Sequence, residues 1–182
     1  MRKAILLSIR PNWVRLILNK KKIYEIRKQF PKDYVGWVYI YCCKHRKNEI
    51  GFHINYEKVE GKVVARFWCD KVLELRPFSY GGHIWWIERT TTNYKQFLQI
   101  LQRSSLTAEQ IKDYAKRKRE LFAVVVDKLE IFDKPRELSE FYTTHLDKTI
   151  PEIFDNSTQL PNGVWVKPLT KAPQNWCYIE IN

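Results

Sequence analysis

Hydrophobic and polar positions alternate in short blocks along most of this chain, with helical spacing confined to a few segments. Ile5, Leu6, Leu7 and Ile9 form a short apolar run that predicts a buried strand over Lys3 to Ile9. Pro11 then suits the first turn of a helix, and Trp13, Val14, Leu16, Ile17 and Leu18 give it an apolar stripe. Lys20 to Lys22 place positive charge at the negative end of its dipole. Lys22 to Lys28 alternates and predicts a short strand, with Ile23, Glu25 and Arg27 on one face and Lys22, Tyr24, Ile26 and Lys28 on the other.

Downstream, Trp37 to Cys43 is a run of β-formers, and Ile50–Tyr56 with Lys62–Cys69 predicts a hairpin whose second strand continues into Val72–Leu75. Pro77 to Gly82 reads as a loop, and Ile84 to Ile87 fits a strand or a helical turn equally. Tyr94 to Leu101 has helical spacing. Thr107 followed by Gln110 is a capping box that opens a helix to about Lys118. Leu121 to Leu129 predicts a strand that Glu130 to Lys134 continues until Pro135, and Leu138 to Tyr142 a brief helix. Thr143 to Gly163 reads as an irregular excursion, before closing strands at Val164–Val166 and Cys177–Ile181. Many short strands with few intervening helices predict an α+β fold built on a small mixed sheet or barrel, not a parallel βαβ sheet.

Composition adds an ample core. The 182 residues are 45% hydrophobic, with seven Trp, ten Tyr and nine Phe, enough for one domain without metal or disulfide support. Cys42, Cys43, Cys69 and Cys177 lie in apolar, strand-like runs and lack a metal-ligand spacing, so free buried thiols are expected, as in a reducing cytoplasm. The apolar run after Met1 is too short for a signal peptide, and no run approaches a membrane span. The expectation is a cytoplasmic protein without membrane attachment. A formal net charge of +12 favours polyanionic partners through counterion release, although a lysine-rich surface also serves solubility alone.

Candidate chemistry concentrates in Lys22-Ile23-Tyr24-Glu25-Ile26-Arg27. A carboxylate and a guanidinium two residues apart on one face of a strand must meet water or each other. They either line a pocket or form a plain ion pair bracing the fold. His45, His53, His83 and His145 are scattered, and no Gly-rich phosphate loop or nucleophile elbow is present, so neither a metal nor a cofactor is expected. Trp85-Trp86, inside a loop-flanked segment, is expected to place one indole over a cleft.

Three stretches in order resemble the ASCH domain family, whose β-barrel is related to the RNA-binding PUA domain. They are Ile5 to Arg27 followed by Val38 to Tyr41; Leu106 to Tyr114 followed by Leu121 to Val126 and Phe132 to Pro135; and Lys171 to Tyr178, which is similar to the tail of bacterial and phage-type members. The resemblance implies a single ASCH domain, a PUA-like mixed β-barrel with flanking helices, carrying insertions at about 80–103 and 143–163. It further implies a basic cleft between barrel and first helix that binds RNA, with DNA or a nucleotide as alternatives. Lys22, Glu25 and Arg27 would line it, with Ser8 and Tyr24 as secondary members and Lys171 and Gln174 contributing from the tail. Some relatives deacetylate N4-acetylcytidine with a lysine and a threonine in this string; here Lys22 matches the lysine, but Glu25 occupies the threonine position and lacks the hydroxyl. Ribonuclease chemistry, with Lys22, Glu25 and Tyr24 as catalytic candidates, stays open, as does a protein-binding regulatory role.

Overall fold

The computed structural model describes residues 2–45, 59–90, 94–144, 158–159 and 165–181. The elements, in chain order, are β1 (Arg2–Ile9), α1 (Pro11–Leu18), β2 (Tyr24–Arg27), β3 (Gly36–Cys42), β4 (Val63–Cys69), β5 (Val72–Tyr80), β6 (His83–Glu88), α2 (Tyr94–Ser104), α3 (Ala108–Ala115), β7 (Leu121–Val125) and β8 (Asp127–Arg136). A 3-10 turn (Leu138–Glu140) leads to β9 (Tyr142–Thr144), β10 (Thr158–Gln159), β11 (Trp165–Pro168) and β12 (Trp176–Ile181). The fold is α+β. Eight strands form one sheet in the order β10-β11-β9-β12-β1-β3-β4-β8, and four form another in the order β2-β7-β5-β6; among the described residues neither sheet closes on itself. None of the described helices is long and apolar enough to cross a membrane.

The chain divides into two compact units. The first comprises residues up to Val14, Gly36–Phe67 and Glu130 onward, and carries most of the eight-stranded sheet. β1 is its central strand, parallel to β3 and antiparallel to β12, and Ala4 through Ile9 are all buried. Burial on both faces is why Ala4 to Leu7 read as a continuous apolar run without alternation. Ala4, Leu6, Tyr39, Val63, Phe141 and Ile179 form one core cluster of this unit.

The second unit comprises Arg15–Val35 and Trp68–Leu129. β7 is central in its sheet, antiparallel to β2 on one side and to β5 on the other. The sheet packs against α2 and α3, burying Ile26, Leu73, Leu75, Trp86, Ile87, Phe97, Ile100, Ile111, Leu121 and Ala123 in one cluster. Segment 80–103, expected as an insertion, supplies four of these side chains. Trp86 is a core residue, and Trp85 packs edge-on against Tyr94 and Phe97, so the expectation of a cleft-covering indole gives way to a packing role. α3 opens with the expected capping box: Thr107 Oγ1 accepts from the Gln110 N–H at 3.1 Å, and Gln110 Oε1 accepts from the Thr107 N–H at 2.9 Å.

Three expectations along the chain need correction. The strand ending at Cys69 does not run on into Val72–Leu75; the chain breaks at Asp70-Lys71 and enters the other sheet as β5. Pro77 to Gly82 is not a loop. β5 continues through Pro77, which pairs with Trp86 of β6 only, since β7 pairs with β5 no further than Leu75. A proline is tolerated where a strand has lost its neighbour on one side. Gly81 and Gly82, with φ of 58° and 76°, form the two-residue turn of the β5–β6 hairpin, where both central positions need positive φ. The apolar run from Leu121 to Leu129 is also two strands, β7 and β8, broken at Val126. The strand expected at Ile50–Tyr56 and most of the excursion 143–163 lie outside the described residues.

Candidate functional site

The end of α1 sets the geometry of the candidate site. Lys20 adopts a left-handed φ of 57°; its N–H donates to Ile17 O and the Lys21 N–H donates to Leu16 O, both at 2.8 Å. This is a Schellman-type ending, here with lysine at the position glycine usually takes. It turns the chain so that Lys22 precedes β2 instead of belonging to it. Lys22 thereby escapes the alternation that would have set it opposite Glu25.

Glu25 is shared by two cations. Its Oε2 lies 3.4 Å from Lys22 Nζ, and its Oε1 lies 3.2 Å from Arg27 Nε, an ion pair whose N–H is not aligned for a full hydrogen bond. Lys22 Nζ also donates to Ser104 O at 2.7 Å. The three side chains are 2%, 7% and 10% exposed, so the cluster is built inward and is more enclosed than the open pocket wall expected. Burial pushes the Lys22 pKa down, opposed by the Glu25 carboxylate and reinforced by Arg27. The neighbouring hydroxyl of Tyr114, which bonds Arg27, is shifted up, mainly by desolvation. The ring of Tyr114 carries Lys28 Nζ 4.7 Å from its centroid.

The turn between α2 and α3 fixes this arrangement. The Ile23 N–H donates to Arg103 O at 2.8 Å, Ser105 Oγ donates to Lys21 O at 2.9 Å, and Ser104 is fully buried. Ser104 and Tyr114 are contributors that no local pattern announces, because they stand some 80 to 90 residues from their partners in sequence. A serine pair between an amphipathic helix and a capping box was the available signal.

Among the other expected members, Tyr24 shares the strand but follows the alternation: it packs against the Ile26 core cluster, away from Glu25 and Arg27. Its ring lies under the Arg103 guanidinium, 5.6 Å from the centroid. Ser8, Lys171 and Gln174 belong to the first unit. The Ser8 hydroxyl donates to Pro173 O at 2.7 Å, and Lys171 and Gln174 are exposed on the segment before β12. Cys42, Cys43, Cys69 and Cys177 are free thiols, and burial raises Cys42 and Cys69 to about 12.

No family model matches the chain. No curated protein matches it either. Among solved structures, the crystal structure of ASCH from Zymomonas mobilis is similar over 74% of this chain and 73% of that one, with a TM-score of 0.50 at 13% identity. A serine-to-alanine variant of the same protein gives a TM-score of 0.50 at 14% identity, covering 75% of each chain. At such identities the likeness is one of fold, and the fold of this chain is ASCH-like.

Proposed function

We propose that this chain binds nucleic acid, RNA foremost, with Lys22, Glu25 and Arg27 as the centre of the binding site. The observation that carries the reading is two cations converging on one buried carboxylate. Such a cluster holds its cations at fixed positions, desolvated and therefore strongly responsive to an added anion. A phosphate brought to Lys22 restores the proton affinity that burial takes from it, and the Arg27 fork suits an anion or the face of a base. Glu25 orients both. The net charge of +12 supplies the long-range attraction, and likeness to an ASCH fold is consistent with RNA binding in general terms. Ser8, Lys171 and Gln174, which belong to the first unit, are proposed as further nucleic-acid contacts in their own right, and the whole chain as one PUA-like ASCH-type domain.

The lowered Lys22 pKa favours a second reading, an enzyme in which Lys22 and Glu25 handle protons on an RNA or nucleoside substrate. Incubation of purified protein with 5′-labelled single-stranded RNA separates the two. Retention that weakens with salt, without new products, supports the binding module; cleavage lost in Lys22→Ala supports the enzyme; neither retention nor cleavage at low salt overturns both.

A further inference from the structure

A second feature of the second unit stands apart from the charge cluster. Tyr24, on the opposite face of β2 from Glu25, forms one wall of a cavity of about 220 Å³ between α2 and the four-stranded sheet. Leu73, Ile100 and Val125 line its apolar part. Asp70, Lys71, Glu88 and Gln99 supply polar groups; Lys71 Nζ lies 3.6 Å from Glu88 Oε1, so the acidic balance of the lining comes from Asp70. Gln96 braces the rim: its Nε2 donates to Glu88 Oε2 at 2.6 Å and its Oε1 accepts from the Glu88 N–H at 3.2 Å. Arg103, over the Tyr24 ring, holds that wall in place.

We propose that this cavity receives a single nucleobase carrying an exocyclic amino group, adenine or cytosine. The volume is below the roughly 300–1,000 Å³ of pockets that hold drug-sized ligands, so it suits one ring system and not a whole nucleotide. An aromatic wall with aliphatic neighbours is what a flat base stacks against. The acidic balance of the polar groups disfavours phosphate and favours an amino donor. Glutamine pairs with adenine through its amide, and a carboxylate accepts from the amino group of cytosine. Gln99 is exposed on α2, and among the described residues its amide has no hydrogen-bond partner, so it is available to a ligand. Uracil has no exocyclic amino group, and its single N3–H is flanked by two carbonyl oxygens that a carboxylate repels, so it is disfavoured.

This rests on the proposed function only for a base within a strand; a free nucleoside carries the same chemistry. Fluorescence anisotropy with labelled A8, C8 and U8 RNA tests the strand, and saturation-transfer NMR with adenosine, cytidine and uridine tests the nucleoside. The expected result is A8 and C8 binding about tenfold tighter than U8, the preference falling to within twofold in Gln99→Leu while the salt dependence is unchanged. Gln99→Leu keeps a good helix former at an exposed site, and circular dichroism verifies its fold. Equal binding of all three oligomers, or a preference that survives Gln99→Leu, overturns the pocket and leaves the nucleic-acid reading standing. If no oligomer binds, that reading falls instead. The pocket then stands only if adenosine or cytidine, but not uridine, shows saturation transfer that Gln99→Leu abolishes, and it falls otherwise.

Discussion

Replacing Glu25 by glutamine removes the charge that two buried cations share while keeping the shape of the side chain. Both ion pairs are shielded: the side chains of Lys22, Glu25 and Arg27 are 2%, 7% and 10% exposed, which puts them outside the surface regime, where a pair contributes about 0–1 kcal/mol. At separations of 3.4 and 3.2 Å, each gross attraction is about 5 kcal/mol with an effective dielectric near 20. Desolvation offsets much of this in the intact cluster. Breaking it leaves the cations without their common partner, and the expected loss is about 3–5 kcal/mol. Urea unfolding followed by circular dichroism reads this as a midpoint lowered by about 2 M for an m value near 2 kcal/mol/M. Lys22→Met added to Glu25→Gln removes one stranded cation and should recover about 1 kcal/mol or more. The pH dependence has a definite sign. Lys22 in the folded chain lies below its ordinary 10.5 and falls further without Glu25, so the unfolded chain binds more protons in the window beneath 10.5. The penalty of Glu25→Gln relative to wild type therefore shrinks as pH rises through that window. A variant within about 0.5 kcal/mol of wild type at unchanged m would refute the buried-cluster reasoning.

Three further outcomes follow from local structure. Lys20→Gly relieves a non-glycine residue at φ 57° in the α1 ending and should stabilise by about 0.5–1 kcal/mol, seen as a raised urea midpoint. Thr107→Ala removes the side-chain acceptor of the α3 capping box and should cost about 1 kcal/mol, a melting temperature lowered by about 2–4 °C. Cys42 and Cys69 keep their protons to about pH 12 when folded but release them near 9 when unfolded, so the folded chain binds more protons and stability falls as pH rises from 9 towards 12. Cys42→Ala should make that decline shallower by at most about 1.4 kcal/mol per pH unit, measured by urea midpoints between pH 9.5 and 11.

How far the fold was legible depended on how local its causes are. β1, α1, β3 and the α3 capping box follow from short-range patterns, and the structure places all four where the sequence puts them. Pro77 misled because its cost depends on whether β5 has a neighbour on both sides, a fact of sheet order and not of sequence. The break at Val126 was hidden for a similar reason. Leu121 to Val126 is apolar without interruption, yet the Val126 N–H donates to Ile23 O and the chain changes sheets there, at the charged pair Asp127-Lys128. In the site, the two-residue spacing of Glu25 and Arg27 announced their pairing. The same alternation misplaced Lys22, because the turn that frees it depends on a left-handed lysine. Ser104 and Tyr114 reach the cluster only through the packing of α2 and α3 in the second unit.

The most direct measurement is the salt dependence of binding to a labelled single-stranded RNA, in wild type and in a Lys22→Met variant whose circular dichroism matches wild type. Binding through phosphates predicts that log K falls linearly with log salt, and that losing one phosphate contact weakens binding and makes the slope shallower by about 0.7. No binding by wild type at low salt, or an affinity and slope that Lys22→Met leaves untouched, would contradict the account.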